Sequence, residues 1–407
     1  MSSGQESKVQ GMASGEGPVT GSQEALAGRP TPEHRSADKA HYIMIGGFLG
    51  AGKTTSVARL AKQLTDRGRR VGLITNDQGT DLVDTAMLRS RGFATEEIPG
   101  GCFCCRFNSL VDAANKLTAA TRPDVFIAEP VGSCTDLVAT VSYPLRRIYG
   151  ANFAIAPLSV LLDPVRAGRV FGLEPGGRFS ERVLYIYRKQ LEEADLIVIN
   201  KSDLLDPNRR RLLHDRLSAE FPQAEIFEVS ARRNEGLERW FDRLAATEQP
   251  ARTAMEMDYA LYAEGEALLG WLNGTVRLAS QTAFDANAVL KQLAEAIQGR
   301  LLREGAEVAH LKMTFSPDDG LGDIAAINLV RNDYVPEVSQ ALDEPVAAGQ
   351  LIINLRAEAS PDVLRSAAES AVGGLAGQFP GVDARIEHLE HFRPGKPQPT
   401  HRITDLS

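Results

Sequence analysis

A glycine-rich segment at residues 46–55 has the residue types that bind phosphate. It reads GGFLGAGKTT and follows the apolar run Tyr42–Ile45. Glycines let backbone N–H groups curl around a phosphate because no Cβ atom stands in the way, and the lysine adds a full positive charge toward the β- and γ-phosphates. The spacing predicts a nucleotide phosphate loop, with Lys53 as a catalytic residue and with contacts from Gly47, Gly50, Ala51, Gly52, Lys53, Thr54 and Thr55.

The motif NKSD at residues 200–203 has the residue types that select a guanine base. It directly follows the apolar run Leu196–Ile199. A carboxylate accepts hydrogen bonds from both N1–H and N2–H of guanine, whereas adenine presents a ring nitrogen that repels it. Ser230 and Ala231 follow the next apolar run and fit a small loop that closes over guanine O6. The chain is therefore predicted to bind GTP through Asn200, Lys201, Asp203, Ser230 and Ala231.

Two carboxylates are placed to serve the Mg²⁺ and γ-phosphate side of such a nucleotide. Asp77 and Glu129 each follow an apolar run, and both are predicted to be catalytic and, with the Thr54 hydroxyl, to hold Mg²⁺. The N–H of Gly132 is expected to meet the γ-phosphate. The alternative interpretation of Asp77 is a loop cap. The sequence identifies no arginine finger; Arg106 is a candidate, but a solvated arginine is the simpler interpretation.

A cysteine cluster follows two glycines at residues 100–105, which read GGCFCC. In an extended loop Cys102 and Cys104 point the same way, and a turn after them brings Cys105 to a common ion. Three thiolates at about 2.3 Å leave one tetrahedral position of Zn²⁺ for water, a client's side chain or Cys134. The cluster is predicted to bind Zn²⁺ or Co²⁺; the alternative is cysteines packed as small apolar residues or kept for redox chemistry.

The C-terminal histidines are weaker candidates. His388 and His391 lie in a predicted strand, where an offset of three places side chains on opposite faces, so we interpret them as structural.

Short apolar runs separated by more than ten residues predict the strands that position these residues. This pattern indicates an α/β fold, a P-loop NTPase parallel sheet with helices on both faces. Ligands of such sheets lie beyond the carboxyl ends of the strands, where the polar motifs occur. A helix that ends near Ala194 is interpreted as a packing helix. We predict a disordered tail over residues 1–38 and a GTPase domain over residues 39–246.

A second domain is predicted over residues 258–400. Its strands are expected near 275–278, 310–315, 325–330 and 351–356, some with the alternation of a half-exposed sheet. One helix runs from about Asp285, and another opens at Ser360-Pro361, a good N-cap and first-turn pair. This order indicates an α+β domain with a ferredoxin-like topology.

Composition narrows the function classes. With 45 basic and 53 acidic residues the net charge is −8, which argues against binding nucleic acid through phosphate contacts. The sequence shows no membrane segment or signal peptide, so we expect a cytoplasmic protein. Thiols are kept reduced there, and the four cysteines are therefore expected to be metal ligands or reactive thiols.

Taken in order, these motifs resemble the CobW-type P-loop GTPases, relatives of the nickel-inserting GTPases of urease and hydrogenase maturation. The resemblance covers residues 41 to about 245. It implies a GTPase that acts as a metallochaperone, with Cys102, Cys104 and Cys105 binding a transition metal in response to nucleotide state. It also implies a metal-requiring client protein, and a homodimer is a further expectation.

Two other functions stay open. One is a GTP-dependent assembly or reactivation chaperone for a corrinoid or cobalamin-dependent client. The other is a metal sensor or buffer in which nucleotide tunes affinity and no client stimulates hydrolysis.

Overall fold

A computed structural model describes residues 39–76 and 83–406 of the chain, without the side chains at positions 83, 84 and 86. The predicted tail and the predicted catalytic residue Asp77 therefore lie outside the described residues.

The first half of the described chain is built on a parallel sheet, the first sheet. Its strand order is β3-β2-β4-β1-β6-β7-β8, and β5 also pairs with β1. The strands are β1 (Ala40–Gly47), β2 (Val71–Asn76), β3 (Thr95–Ile98), β4 (Val125–Glu129), β5 (Phe153–Ile155), β6 (Ser159–Leu162), β7 (Leu196–Ile199) and β8 (Glu225–Glu228).

Helices connect these strands. They are α1 (Lys53–Asp66), α2 (Val83–Ser90), α3 (Phe107–Thr121), α4 (Tyr143–Tyr149), α5 (Pro164–Val170), α6 (Glu181–Glu192), α7 (Pro207–Glu220) and α8 (Leu237–Ala246). A π-helical turn over Val138–Ser142 precedes α4, and a 3₁₀ turn over Ser202–Leu204 follows β7.

The first sheet is buried on both faces, which explains its continuous apolar runs. Along β1, Tyr42 and Met44 pack into a core with α3 and α6 on one face. Ile43 and Ile45 pack into a second core with α1 and α8 on the other face. The predicted α/β P-loop NTPase sheet with helices on both faces is confirmed.

The second half of the described chain forms an antiparallel sheet, the second sheet, after a connecting segment without helix or strand. Its elements are α9 (Tyr259–Leu268), β9 (Leu269–Phe284), α10 (Ala286–Arg303), β10 (Glu307–Pro317), β11 (Ala325–Leu329), β12 (Glu337–Gln340), β13 (Val346–Glu358), α11 (Pro361–Gly373), α12 (Leu375–Gln378) and β14 (Val382–Phe392).

The second sheet has the order β12-β11-β10-β13-β9-β14. The path β10-β13-β9-β14, with α10 and α11 as crossovers, is the predicted ferredoxin-like arrangement, and the hairpin β11–β12 extends its edge. Ser360 caps α11 by accepting a hydrogen bond from the Val363 N–H at 3.3 Å, as predicted. Both helices cover one face, where Leu290, Leu311 and Ile353 share a core.

Over residues 39–76 and 83–406, the model contains no helix with the length and apolar character needed to cross a bilayer.

Candidate nucleotide and metal sites

The phosphate loop joins β1 to α1 through glycines in the left-handed region of backbone space. Gly47 has φ 125° and Gly52 has φ 90°. A Cβ atom at Gly47 would lie 2.2 Å from the Leu161 carbonyl oxygen, and one at Gly52 would lie 2.4 Å from Asn200 Nδ2. Only glycine fits these two positions, so the loop has the tight curvature that a phosphate cradle needs.

Lys53 and Thr54 open α1 and are both buried. The Lys53 ammonium donates to the Gly47 carbonyl oxygen at 2.9 Å, across the mouth of the loop. The Thr54 hydroxyl donates to Glu129 Oε1 at 2.9 Å. A hydroxyl beside a carboxylate is a pair of hard oxygen ligands that fits Mg²⁺, so these two predicted ligands lie together.

The base-selecting motif closes onto the back of the loop. Asn200 Nδ2 donates to the Ala51 carbonyl oxygen at 2.8 Å, and the Ala231 N–H donates to Asn200 Oδ1 at 3.0 Å. Lys201 Nζ donates to the Gly50 carbonyl oxygen at 2.7 Å. The motif therefore fixes the position of the phosphate loop relative to Ala231, which was predicted to lie beside the base.

Asp203 provides the carboxylate for base recognition. Its side chain is 8% exposed, and Oδ2 lies 3.5 Å from Arg233 Nε. Among the residues that the structure describes, Asp203 Oδ1 has no hydrogen-bond partner although it is buried. A buried acceptor without a donor is costly, so this oxygen is suited to a donor supplied by a ligand.

One cavity of 410 Å³ contains most of the predicted nucleotide contacts. The predicted residues that line it are Gly50, Gly52, Lys53, Thr54, Thr55, Glu129, Gly132, Asn200, Lys201, Asp203 and Ala231. Gly47, Ala51 and Ser230 are not among the lining residues, and Ser230 is fully buried. The candidate finger Arg106 is not part of the lining; its guanidinium donates to the Gly100 carbonyl oxygen at 3.0 Å.

The three clustered cysteines meet at one point. Their Sγ atoms are separated by 2.7 Å between Cys102 and Cys104, 3.3 Å between Cys102 and Cys105, and 3.6 Å between Cys104 and Cys105. The expected extended loop is wrong in detail, because the N–H groups of Cys105 and Arg106 both donate to the Cys102 carbonyl oxygen. This turn leads into α3 and brings the three sulfurs together.

The three thiols differ in their pKa values. Hydrogen bonds from Cys104 and Cys105 lower the pKa of the Cys102 thiol well below its ordinary value. Contact with Cys102 raises the pKa of Cys104 well above its ordinary value and raises that of Cys105 to about 11. Three sulfurs of this kind fit a soft or borderline ion such as Zn²⁺, which displaces the remaining protons.

Among the described residues, the group of converging ligand atoms includes neither Cys134 nor the C-terminal histidines. Cys134 is buried, and burial together with nearby Cys102 raises the pKa of its thiol. His391 Nε2 lies 3.4 Å from the Asp362 carboxylate. Among the described residues, the one group of metal-ligating side chains with converging atoms is Cys102, Cys104 and Cys105.

Two buried amides hold backbone beside the nucleotide cavity, and one of them reaches the cysteine turn. Asn76 ends β2, lines the cavity, and donates to the Gly101 carbonyl oxygen at 2.6 Å. Gln190 on α6 donates to the carbonyl oxygens of Gly132 at 3.0 Å and Cys134 at 2.8 Å. Neither amide was among the predicted site residues.

Sequence reasoning missed a second wall of the cavity. It comes from the polar face of the second sheet and includes Trp271, His310, Lys312, Asn328, Asn354 and Arg356. The alternation along β10 showed that one face is polar, but solvent is the usual neighbour of such a face. No sequence signal distinguished a solvent-facing side from a ligand-facing one.

Sequence reasoning also missed residues 398–403, which cross the cysteine turn and are called the C-terminal strap below. The Gln398 N–H donates to Cys105 Sγ at 3.2 Å, and the Thr400 N–H donates to the Cys104 carbonyl oxygen at 2.8 Å. Arg402 pairs with the buried carboxylate of Asp136 at 2.7 Å. The strap therefore covers the candidate metal site from one side.

This chain is similar to known proteins over its first half. Residues 41–228 match the family described as CobW/HypB/UreG, nucleotide-binding domain. The zinc chaperone YeiR of Escherichia coli is 32% identical over 176 residues, which are 42% of this chain and 49% of YeiR. The zinc chaperone CobW of Sinorhizobium is 31% identical over 211 residues, or 46% of this chain and 58% of the relative.

The chain thus spans about half the length of the curated relatives it matches. Among solved structures, the hydrogenase maturation factor HypB of Archaeoglobus fulgidus aligns at 20% identity with a TM-score of 0.35, covering 51% of this chain and 89% of HypB. Over residues 41–228 this chain is therefore similar to the CobW/HypB/UreG nucleotide-binding domain.

Proposed function

We propose that this chain is a GTP-hydrolysing metallochaperone. It binds GTP with Mg²⁺, takes up a divalent metal ion at Cys102, Cys104 and Cys105, and passes the ion to a client protein. The observation that carries this proposal is the hydrogen bond of Asn76, which lines the nucleotide cavity, to Gly101 directly before Cys102.

The nucleotide part rests on the contacts of the cavity. Lys53, Thr54 and Glu129 would bind the phosphates and Mg²⁺, and the buried carboxylate of Asp203 would bind guanine; their mutual contacts in the cavity support these roles. Asp77 is proposed as a further carboxylate on the Mg²⁺ side. Intrinsic hydrolysis should be slow, because a missing arginine finger alone can lower the rate by about 10³ to 10⁵.

The metal part rests on the sulfur cluster, and zinc is the proposed cargo. Three sulfurs within 3.6 Å of one another leave one coordination position open, which suits transfer better than a closed four-ligand site. The two relatives named above are both called zinc chaperones, which supports zinc over Co²⁺. Whether Cys134 or a second copy of the chain fills the open position stays a prediction.

Coupling between the two parts follows from their shared loops. A γ-phosphate that accepts a hydrogen bond from the Gly132 N–H would shift the segment from Gly132 to Cys134. Gln190 donates to the carbonyl oxygens of both residues and so transmits the shift. Asn76 also lines the nucleotide cavity, and its hydrogen bond to the Gly101 carbonyl oxygen holds the cysteine turn. Nucleotide state can therefore change the metal site through two short connections.

A transfer assay tests the proposal. Zinc-loaded protein is mixed with a chromogenic zinc chelator in the presence of Mg²⁺ and either GTP, GDP or no nucleotide, and hydrolysis is followed in parallel. We expect GTP hydrolysis, and a transfer rate that depends on the nucleotide. Cys104→Ala should lose zinc and keep GTP binding.

The controls separate the alternatives. Equal loss of zinc and GTP in Cys104→Ala would indicate a structural role for the cysteine. Zinc release that is the same in all nucleotide states would favour a buffer or sensor. Stimulated hydrolysis with a corrinoid protein but not with a zinc-requiring one would favour the corrinoid chaperone.

A further inference from the structure

The second sheet turns its polar face toward the nucleotide cavity. On β10, Leu311 and Met313 are buried in the core beneath the helices, whereas His310 and Lys312 alternate with them and line the cavity. Asn354 and Arg356 on the neighbouring β13 line it as well. This face is therefore a second wall of the site that holds the phosphate loop.

The wall is fixed to the first sheet by buried cations. Arg166 on α5 donates to the carbonyl oxygens of Val308 at 3.3 Å and Ala309 at 3.2 Å, directly before the cavity-lining part of β10. Arg331, which follows β11, lies 3.0 Å from Asp163 at the end of β6, and both side chains are buried. These contacts place Lys312 at a defined distance from the phosphate loop.

Lys312 reaches the position where a metal ligand is expected. Its ammonium donates to Thr54 Oγ1 at 3.2 Å, and the same hydroxyl donates to Glu129 Oε1 at 2.9 Å. An ammonium in this place lies close to the position that a Mg²⁺ ion held by Thr54 would take. Like charges repel at such short range, so Lys312 and Mg²⁺ cannot both stay on Thr54.

We propose that Lys312 binds the γ-phosphate of the bound nucleoside triphosphate and so connects the second sheet to nucleotide state. This inference rests on the proposed GTP binding. When Mg²⁺ takes the Thr54 hydroxyl, the displaced ammonium finds the γ-phosphate as the anion nearest to it. With a diphosphate that anion is absent, so Lys312 has no γ-phosphate to bind.

The role is distinct from that of Lys53, which belongs to the loop itself and donates to Gly47. Lys312 comes from the second sheet, so it adds a cation from outside the phosphate loop. In hydrolysis, water forms the new O–P bond, the bond from the γ-phosphorus to the β–γ bridging oxygen breaks, and GDP leaves with that electron pair. One water proton stays on phosphate, one passes to solvent, and Lys312 only donates hydrogen bonds.

Equilibrium binding of GDP and of the non-hydrolysable analogue GppNHp, each with Mg²⁺, tests this assignment by calorimetry on the full chain. Lys312→Met should weaken GppNHp roughly tenfold to 100-fold, the effect of one lost charged hydrogen bond, and leave GDP affinity within about twofold. Lys312→Arg should recover part of the loss. Lys291→Met is the matched control, since Lys291 is 56% exposed on α10.

Retained GDP binding shows that Lys312→Met is folded. Equal affinities of wild type and Lys312→Met for GppNHp would overturn the inference, as would equal losses for GppNHp and GDP. A wild-type chain that binds neither nucleotide would overturn the proposed function and this inference with it, so the wild-type titration separates the two failures.

Discussion

Asp203 is the side chain on which the choice of base depends. One of its oxygens is buried without a donor among the described residues, and the other lies 3.5 Å from Arg233. Asp203→Asn replaces an acceptor with a donor and should weaken GTP binding roughly 10- to 150-fold. Titration calorimetry with GTP and ATP measures this. Asp215→Asn, at a 70% exposed position on α7, is the control, and an unchanged preference for GTP in Asp203→Asn would refute the assignment.

His310 should make stability depend on pH. Burial and the charges of Lys312 and Lys53 lower the pKa of His310 well below its ordinary value; Lys201 adds to this, and a hydrogen bond with Asn328 opposes it. Below about pH 6.5 the unfolded chain gains a proton that the folded chain does not, so the free energy of unfolding falls by up to about 1.4 kcal/mol per pH unit.

His310→Asn should reduce this loss between about pH 6.5 and 5.5, measured by urea unfolding at each pH. His214→Asn is the control because His214 is 41% exposed. Parallel pH profiles of wild type and His310→Asn would contradict the argument.

The C-terminal strap is the element most directly placed to control the metal site. Deleting residues 398–407 removes the donors to Cys105 Sγ and to the Cys104 carbonyl oxygen. At about 1 kcal/mol for each hydrogen bond, the rate at which a thiol reagent modifies Cys105 should rise on the order of tenfold. Arg402→Met, which removes the contacts with Asp136 and with the Met255 carbonyl oxygen but keeps both donors at the cysteines, should give a smaller increase. An unchanged rate in the deletion variant would mean that the strap does not protect the thiol.

The elements of the first sheet could be predicted where burial leaves a clear pattern. Strands such as β1 and β7 are buried on both faces and appear as short apolar runs. Two strands were missed for physical reasons: β3 is an edge strand with Glu96 and Glu97 in its centre, and β5 has three residues. The cysteine cluster was predicted with a turn only after Cys104, whereas backbone hydrogen bonds to the Cys102 carbonyl oxygen show that the turn begins at Cys102.

The molecule as a whole depends on a buried contact between the two sheets. Burial alone would raise the pKa of Asp163, but the charges of Lys201 and Arg331 hold it well below its ordinary value. Arg331→Met should lower the free energy of unfolding by about 3 kcal/mol, the low end for a broken buried pair because Lys201 stays. Urea unfolding measures this, with the 47% exposed Arg365→Met as control. A change below about 0.5 kcal/mol would show that the contact is not structural.

This contact also marks the limit of prediction from sequence. The nucleotide motifs were predicted because each follows a strand of one parallel sheet, whose carboxyl ends meet at one edge. The place of the second sheet depends on long-range pairs such as Arg331 with Asp163, which no local pattern encodes. Lys312 therefore looked like a surface lysine until the structure placed it against Thr54.

The coupling between nucleotide and metal is the central claim, and zinc affinity measures it most directly. The reduced protein is titrated with Zn²⁺ against a competing chelator, with Mg²⁺ and either GppNHp, GDP or no nucleotide. We expect the zinc dissociation constant to differ by about fivefold or more between GppNHp and GDP. Asn76→Ala should keep zinc binding and reduce this difference, whereas Cys104→Ala should lose zinc in all three states. Identical zinc affinities in all nucleotide states of the wild type would contradict the account.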